Sequence, residues 1–177
     1  MGMYLKPKDV ALRSAVKNDW ARNDNEEDSL FVPWQQMPFA DGEFVMKKLL
    51  RDAGIEDVVV ESAALHTDEI GSDIHYGTRG KLVEEGIAFS PRRAWLMTAA
   101  KAREYDLLIG CDSYNIADLK RLVYKEDLPK ICLLLSFAGI NRDIADPWYT
   151  GNFDQTFEDV MTGCKALLQI ISSSLKC

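Results

Sequence analysis

The sequence predicts a single α/β domain built on a four-stranded parallel sheet with helices on both faces. Two observations carry this prediction. Strand and helix patterns alternate along the chain from Ser29 onward, which is typical of a parallel sheet with right-handed crossovers. Residues 106–111 and 130–135 are continuous apolar runs, as expected for strands buried on both faces.

The first part of the chain predicts an extension followed by one strand and one helix. Residues 1–28 are polar and charged, and we expect a weakly ordered extension there. The domain then covers residues 29–177, starting with the apolar strand at 29–32. Apolar residues at helical spacing predict a helix over residues 43–53, which Gly54 ends.

The middle and end of the chain continue the alternation. The β-branched run at residues 57–64 predicts a strand. Helical patterns follow at residues 78–85, 98–104, 113–122 and 153–175. Ser113 stands at the start of the third of these helices and is predicted to be its N-cap.

Composition and charge restrict the possible partners. The chain has 177 residues and a net charge of -7, so we expect neither a nucleic-acid partner nor a membrane surface. Its four cysteines form no CxxC pair, which indicates reduced thiols in a cytoplasmic protein. Two separated histidines give no zinc pattern, and we predict no metal and no cofactor. His66 and His75 are interpreted as loop histidines without a catalytic part.

Ligand sites of parallel sheets lie beyond the C-terminal ends of the strands. Three places qualify here: the turn after Val32 and the loops after Cys111 and Leu135. The turn after Val32 is unusual because it reads Pro-Trp-Gln-Gln-Met-Pro, where glycines or a reactive side chain would be expected.

Four segments resemble the low-molecular-weight protein tyrosine phosphatase family. "IADPWYTGNFDQTFEDVMTGCKALL" (Ile144–Leu168) is similar to the family's Asp-Pro-aromatic-Tyr-x-Gly loop and last helix. "YDLLIGCDSYNIADLKRL" (Tyr105–Leu122) resembles its strand plus Asp-x-x-Asn-x-x-x-Leu helix. "ESAALHTDEIGSDIHYGTRGKLVEEGI" (Glu61–Ile87) and "EFVMKKLL" resemble the second strand with its variable loop, and the start of the first helix. The resemblance implies a flavodoxin-like strand order, 2-1-3-4.

The family's chemistry gives each matching residue an expected role. Family members hydrolyse phosphotyrosine proteins or small aryl phosphates through a phosphocysteine, which forms in a loop C-x-x-G-N-x-C-R-S-P. Asp146 matches the acid that protonates the leaving oxygen. Trp148 and Tyr149 match the aromatic residues at the pocket mouth. Asp112 and Asn115 match positions that support the loop from behind.

The nucleophile loop itself does not match. No cysteine follows Val32 before Cys111, and no arginine follows it before Arg51. Two prolines also remove N–H donors from the phosphate cradle. The positions of the remnant loop are Pro33, Trp34, Gln35, Gln36, Met37, Pro38, Phe39 and Ala40.

A double frameshift accounts for this stretch. The family loop C-H-G-N-x-C-R-S-P-M-A-E, read one base out of phase, yields P-W-Q-Q-M-P-F-A-D-G when x is Lys or Arg. This is the sequence from Pro33 to Gly42, and the family phase returns at Glu43. The hypothesis is therefore a change of reading frame, in the gene or in its reading, that erased a working phosphate loop.

Other readings of the same residues remain open. Asp146 before Pro147 is also typical of a turn. Trp148 and Tyr149 could pack on the terminal helix, and Asp112 and Asn115 could simply cap a helix. For the whole chain, the alternatives to an active phosphatase are a pseudophosphatase that binds a phosphorylated partner and a relative of the arsenate reductases. The sequence leaves the oligomeric state open.

Overall fold

The computed structural model describes residues 33–34, 40–91 and 93–174 of the chain. The predicted extension at residues 1–28 and the predicted strand at 29–32 lie outside these ranges. The description of Trp148 and Tyr149 is limited to their backbone.

Six α-helices are present in the described residues. They are α1 (Ala40–Asp52), α2 (Tyr76–Glu84), α3 (Ala99–Ala102), α4 (Ser113–Leu122), α5 (Pro147–Thr150) and α6 (Phe153–Ser174). Helix α4 has the predicted bounds, and α6 begins at the predicted residue. Helix α1 begins at Ala40, before the predicted start at Glu43. The single-turn helix α5 was not predicted.

The strands of the described part are short. They are β1 (Pro33–Trp34), β2 (Ala63–Ala64), β3 (Leu108–Gly110) and β4 (Ile131–Leu133). The predicted strand at residues 130–135 is therefore too long. After Leu133 the chain forms a 3-10 turn, Leu134–Ala138, in which the Ser136 hydroxyl donates to the Leu133 carbonyl over 2.6 Å.

The described strands form two parallel pairs, each a two-stranded sheet. β1 pairs with β2 in the register Pro33 to Ala63, and β3 pairs with β4 in the register Leu108 to Ile131. The expected pairs 2-1 and 3-4 are thus both observed and parallel. β1 contacts β3, but the described ladders do not join these two strands.

Helices cover both faces of the sheet, as the apolar strands predict. Leu108 and Ile109, neighbours on β3, are both completely buried and belong to different clusters. Ile109 packs with residues of α1, α2 and α6. Leu108 packs with residues of α3 and α4. Because successive side chains of a strand point to opposite faces, this division puts one helix layer on each side.

Helix α6 is the main support of its layer. It contacts α1, α2 and the 3-10 turn Leu134–Ala138. Its Gly163 allows a close approach, because a Cβ there would lie 2.8 Å from the Leu134 carbonyl oxygen. Helix α6 therefore lies directly against the segment that follows β4.

Candidate functional site

The loop that carries Asp146 is fastened to the end of β3. We call residues 140–146 the Asp146 loop. The Ile144 amide donates to the Cys111 carbonyl over 2.8 Å, and Ile144 is buried. The Ser113 hydroxyl donates to the Asp143 carboxylate over 2.8 Å. These two bonds hold the loop where the chain leaves β3 and enters α4.

Helix α6 holds the same loop from the other side. The Arg142 guanidinium donates two hydrogen bonds, of 2.7 and 2.8 Å, to the buried Asp159 carboxylate. The buried Thr156 hydroxyl donates to the Ala145 carbonyl over 2.8 Å. The loop is therefore fixed on both sides of its chain, next to Asp146.

Asp146 ends this loop and starts the short helix α5. Its side chain is half-buried, and its carbonyl accepts from the Thr150 amide over 3.2 Å. Pro147 occupies the first helical position, where a missing N–H costs nothing. The alternative of a turn at Asp146–Pro147 is replaced by a one-turn helix that begins at Pro147. Trp148 and Tyr149 belong to α5, and their predicted position at a pocket mouth stays a prediction.

The start of α4 corrects one expectation. Asp112, not Ser113, is the N-cap: its Oδ1 accepts from the Asn115 amide over 2.6 Å, and its backbone is extended. The Ser113 hydroxyl instead donates to Asp143. An aspartate is as good a cap as a serine, so the tertiary contact with Asp143 decides which of the two residues takes the position.

Asn115 connects the start of α4 to the end of β3. It is 1% exposed, and its Oδ1 accepts from the Cys111 amide over 3.2 Å. Its Nδ2 has no hydrogen-bond partner among the described residues. Gly110 makes this packing possible, because a Cβ there would lie 2.8 Å from the Ile116 side chain.

Carboxylates meet at this end of the sheet. Burial raises the pKa of Asp112, and the charges of Asp143 and Asp146 raise it further. The charges of Asp143 and Asp146 therefore disfavour a charged Asp112 carboxylate. A phosphate dianion would be repelled as well, so it needs cationic or N–H donors from another segment of the chain.

His75 experiences the charge of Asp146, an interaction between two residues that are far apart in the sequence. It is the N-cap of α2, and its Nδ1 accepts from the Gly77 amide over 3.2 Å. Burial lowers its pKa, while the Asp146 charge acts in the opposite direction. A histidine directly before a helix was a signal of capping, but nothing in the sequence indicated its interaction with Asp146.

The described cysteines are not reactive thiolates. Cys111 and Cys164 are buried, and Cys132 is half-buried. Burial raises the pKa of Cys111 well above its usual range and that of Cys132 to about 12. Thiols of this kind stay protonated near neutral pH and do not replace a missing loop nucleophile.

The remnant loop is described only at its ends. Pro33 and Trp34 lie in β1, beyond the predicted strand end at Val32, and Ala40 is the first residue of α1. The other five predicted loop positions, 35–39, lie outside the described residues. Behind the start of α1, the buried Glu43 carboxylate accepts from the Ser62 hydroxyl just before β2.

The described residues hold neither a cluster of metal-binding side chains nor a membrane-spanning helix. Within residues 33–34, 40–91 and 93–174, no group of three or more His, Cys, Asp or Glu side chains is arranged to hold a metal ion. None of the helices in the same part of the chain has the length and apolar character needed to cross a membrane.

Known proteins are similar to this chain in sequence. The YfkJ protein of Bacillus subtilis, a low molecular weight protein-tyrosine-phosphatase, is 30% identical over 132 residues, which are 73% of this chain and 85% of that protein. PtpA of Staphylococcus aureus strain MRSA252 carries the same description and is 29% identical, with 73% and 82% covered.

Solved structures agree with these relatives. The crystal structure of YfkJ superimposes with a TM-score of 0.75 at 28% identity, covering 86% of this chain and 98% of that one. SP-PTP, the low molecular weight protein tyrosine phosphatase of Streptococcus pyogenes, gives 0.67 at 29%, covering 78% and 88%. The sequence profile of the family described as "Low molecular weight phosphotyrosine protein phosphatase" matches residues 40–176. The chain therefore belongs to the low-molecular-weight phosphotyrosine protein phosphatase family.

Proposed function

We propose that this chain keeps the proton donor of a phosphotyrosine phosphatase, Asp146, but as written lacks the nucleophile and is catalytically inactive. The observation that carries the proposal is the position of the Asp146 loop. It is fastened to the C-terminal end of β3 through Ile144 and Cys111, the edge at which parallel sheets keep their ligand sites.

The sequence lacks the nucleophile and the phosphate-binding arginine that the reaction needs. Between Val32 and Gly42 there is neither cysteine nor arginine, and the family profile matches only from Ala40 onward. The carboxylates of Asp112, Asp143 and Asp146 cannot bind a phosphate dianion themselves. Without a thiolate and an arginine opposite, Asp146 has no reaction to assist.

A restored loop would complete the chemistry. A cysteine thiolate would attack the phosphorus of an aryl phosphate, the P–O bond to the aryl group would break, and Asp146 would give its proton to the departing oxygen. Water would then attack the phosphocysteine, losing a proton to the Asp146 carboxylate, and release phosphate. The substrate class is a phosphotyrosine protein or a small aryl phosphate.

The test compares this chain with a loop-restored variant. Residues 33–43 are replaced by C-H-G-N-K-C-R-S-P-M-A-E, and hydrolysis of p-nitrophenyl phosphate is measured for both proteins. We expect no rate above background for the chain as written and a vanadate-sensitive rate for the restored variant. Adding Asp146→Ala to the restored variant should lower kcat by about 100-fold or more.

Each outcome bears on a different part of the proposal. A vanadate-sensitive rate from the unmodified chain contradicts the claim of inactivity. A restored variant that folds but stays inactive contradicts the assignment of this edge as a phosphatase site. Full activity of the restored variant with Asp146→Ala contradicts the role of Asp146. Sequencing the gene across residues 31–44 tests the frameshift separately, because an unbroken reading frame without insertion or deletion sites excludes it.

The absence of the nucleophile favours a second candidate, a pseudophosphatase that binds a phosphorylated partner. It predicts that the unmodified chain binds a phosphotyrosine peptide and not its unphosphorylated form, measured by calorimetry. An arsenate reductase role has less support. It requires a loop cysteine and resolving cysteines, whereas Cys111 and Cys164 are buried and the pKa values of Cys111 and Cys132 are raised.

We also propose that the two strand pairs form one sheet in the order 2-1-3-4. Contact between β1 and β3 and the packing of α4 against β1, β3 and β4 support this order. Amide exchange in the full chain tests it. If β1 is the neighbour of β3, the β3 amides that do not donate to β4 should be protected from exchange with solvent.

A further inference from the structure

His75 joins three elements at the edge of the site. It precedes α2, and its ring is parallel to the ring of Phe153, the first residue of α6, with 6.1 Å between centroids and 2° between planes. Helix α6 also holds the Asp146 loop, because its Thr156 hydroxyl donates to the Ala145 carbonyl over 2.8 Å. A single side chain therefore links the start of α2 to the helix that supports the proposed acid, and the Asp146 charge acts on its ring.

Gly77 shows how closely α2 and α6 meet here. A Cβ at this position would overlap the Phe153 ring, so only glycine allows the present packing. The Gly77 amide is also the donor to the His75 Nδ1. The capping bond, the ring stacking and the glycine contact thus depend on one another.

The capping bond fixes the protonation state of His75. Nδ1 accepts a hydrogen bond, so it carries no proton, and the neutral ring must have its proton on Nε2. Protonation of Nδ1 would replace the acceptor by a donor facing the Gly77 N–H. The first turn of α2 would then lose its cap, and the His75 ring would no longer be held parallel to the Phe153 ring.

We propose that His75 is a positioning residue for Asp146. Its neutral ring links the start of α2 to the start of α6, and we call this link the joint. The joint holds the Asp146 loop in place, and protonation of the ring breaks it. The catalytic meaning of the joint rests on the proposed function. The joint itself is a property of the chain as written.

The neutral state also suits the chemistry of a proton donor. A cationic His75 would favour the Asp146 carboxylate and reduce the fraction that carries a proton. Burial of His75 and its cap both favour the neutral ring, against the pull of the Asp146 charge. A neutral His75 therefore leaves Asp146 the proton that it must give away.

Other charged groups near the joint are paired with one another. Arg79 on α2 donates to Asp73, which precedes His75 by two residues. Lys81 on α2 pairs with Asp154, the neighbour of Phe153 on α6. The remaining titratable neighbour on α2 is Tyr76, whose ring centroid is 4.2 Å from that of His75. Asp146 is therefore the charge to which His75 should respond.

NMR titration of the full chain tests the proposal. The chain has two histidines, so a variant with His66→Gln assigns the imidazole signals. We expect His75 to titrate below the usual value of 6.5 and the Gly77 amide shift to follow the same transition. Asp146→Asn should lower the pKa of His75 further, because it removes the charge that favours protonation.

Matched variants separate positioning from general charge and from folding. Asp154 is about as far from His75 in the sequence as Asp146 is, but its carboxylate is paired with Lys81. Asp154→Asn should therefore change the pKa of His75 less than Asp146→Asn does. His75→Asn keeps a capping acceptor without a titrating ring, so the Gly77 amide should become independent of pH. Equal shifts from the two Asp→Asn variants overturn the proposal, as does a Gly77 amide that still titrates in His75→Asn.

Activity gives a second readout in the loop-restored variant. His75→Ala should lower kcat by about 10-fold or more. His75→Asn should restore most of kcat, and its kcat should no longer change with pH across the range in which His75 titrates. Unchanged kcat in His75→Ala overturns the positioning role. The NMR result does not depend on hydrolysis, so an inactive restored loop contradicts only the proposed function.

Discussion

The hydroxyl of Thr156 donates to the carbonyl of Ala145 over 2.8 Å, which links the first turn of the C-terminal helix to the residue before Asp146. Thr156 is 2% exposed, and Arg142 and Asp159 make a second link between the same helix and the same loop. The terminal helix is therefore both a wall of the core and the support of the proposed acid.

Thr156→Val tests the first link. The change keeps the shape of the side chain but leaves the Ala145 carbonyl without this donor, so the free energy of unfolding should fall by about 1 kcal/mol. Thr162→Val is the matched control, because its exposed hydroxyl bonds only to the Glu158 carbonyl of its own helix. Urea unfolding measures both. Equal losses in the two variants would contradict a special role for Thr156.

Arg142→Ala tests the second link. Asp159 is 5% exposed and would be left as a buried carboxylate without its guanidinium, so we expect a loss of about 2 kcal/mol in the free energy of unfolding. Arg121→Ala removes an exposed partner of Asp118 and should change it by less than about 0.5 kcal/mol. A loss as small as that of Arg121→Ala would mean that the Arg142–Asp159 pair does not hold the loop.

Gly163→Ala tests the packing of α6 on the turn after β4. The new Cβ would meet the Leu134 side chain at 2.6 Å and its carbonyl oxygen at 2.8 Å, so the variant should lose about 2 kcal/mol. Gly80→Ala on α2 has open space and a helical backbone, so it should gain about 0.5 kcal/mol. Thermal unfolding of both variants measures the difference, and a neutral Gly163→Ala would contradict the close approach.

The raised pKa of Asp112 predicts a pH-dependent contribution to stability. The folded state binds this proton more tightly than the unfolded state, whose pKa is near 3.8. The resulting stabilisation is complete below that value and is lost as the pH rises through the folded pKa. Asp112→Asn keeps a capping side chain but cannot titrate.

The measurement compares the variant and the original chain across this range. The stability of Asp112→Asn relative to the original chain should increase as the pH rises above about 3.8, because only the original chain acquires the buried charge. Urea unfolding at a series of pH values gives the curve. A constant difference between acidic and neutral pH would show that the carboxylate is not destabilised by its surroundings.

Local patterns in the sequence determined much of the fold. The bounds of α4 and the start of α6 follow from helical periodicity, and the buried strand β3 and the half-buried strand β4 from continuous apolar runs. The family was likewise readable, because the Asp-Pro-Trp-Tyr loop and its helix are contiguous in the chain. The absence of a cysteine and an arginine after Val32 is also a fact of the sequence alone.

Only the tertiary structure decided which residues meet. His75 and Asp146 are far apart in the chain, and neither local pattern indicates the other. Serine is a common N-cap residue, yet the Ser113 hydroxyl donates to Asp143 and the N-cap of α4 is Asp112. The chain leaves β4 after Leu133 because Ser136 and the α6 packing close a turn there. Periodicity records which face of an element is buried, whereas contacts between distant segments depend on how the elements are arranged in space.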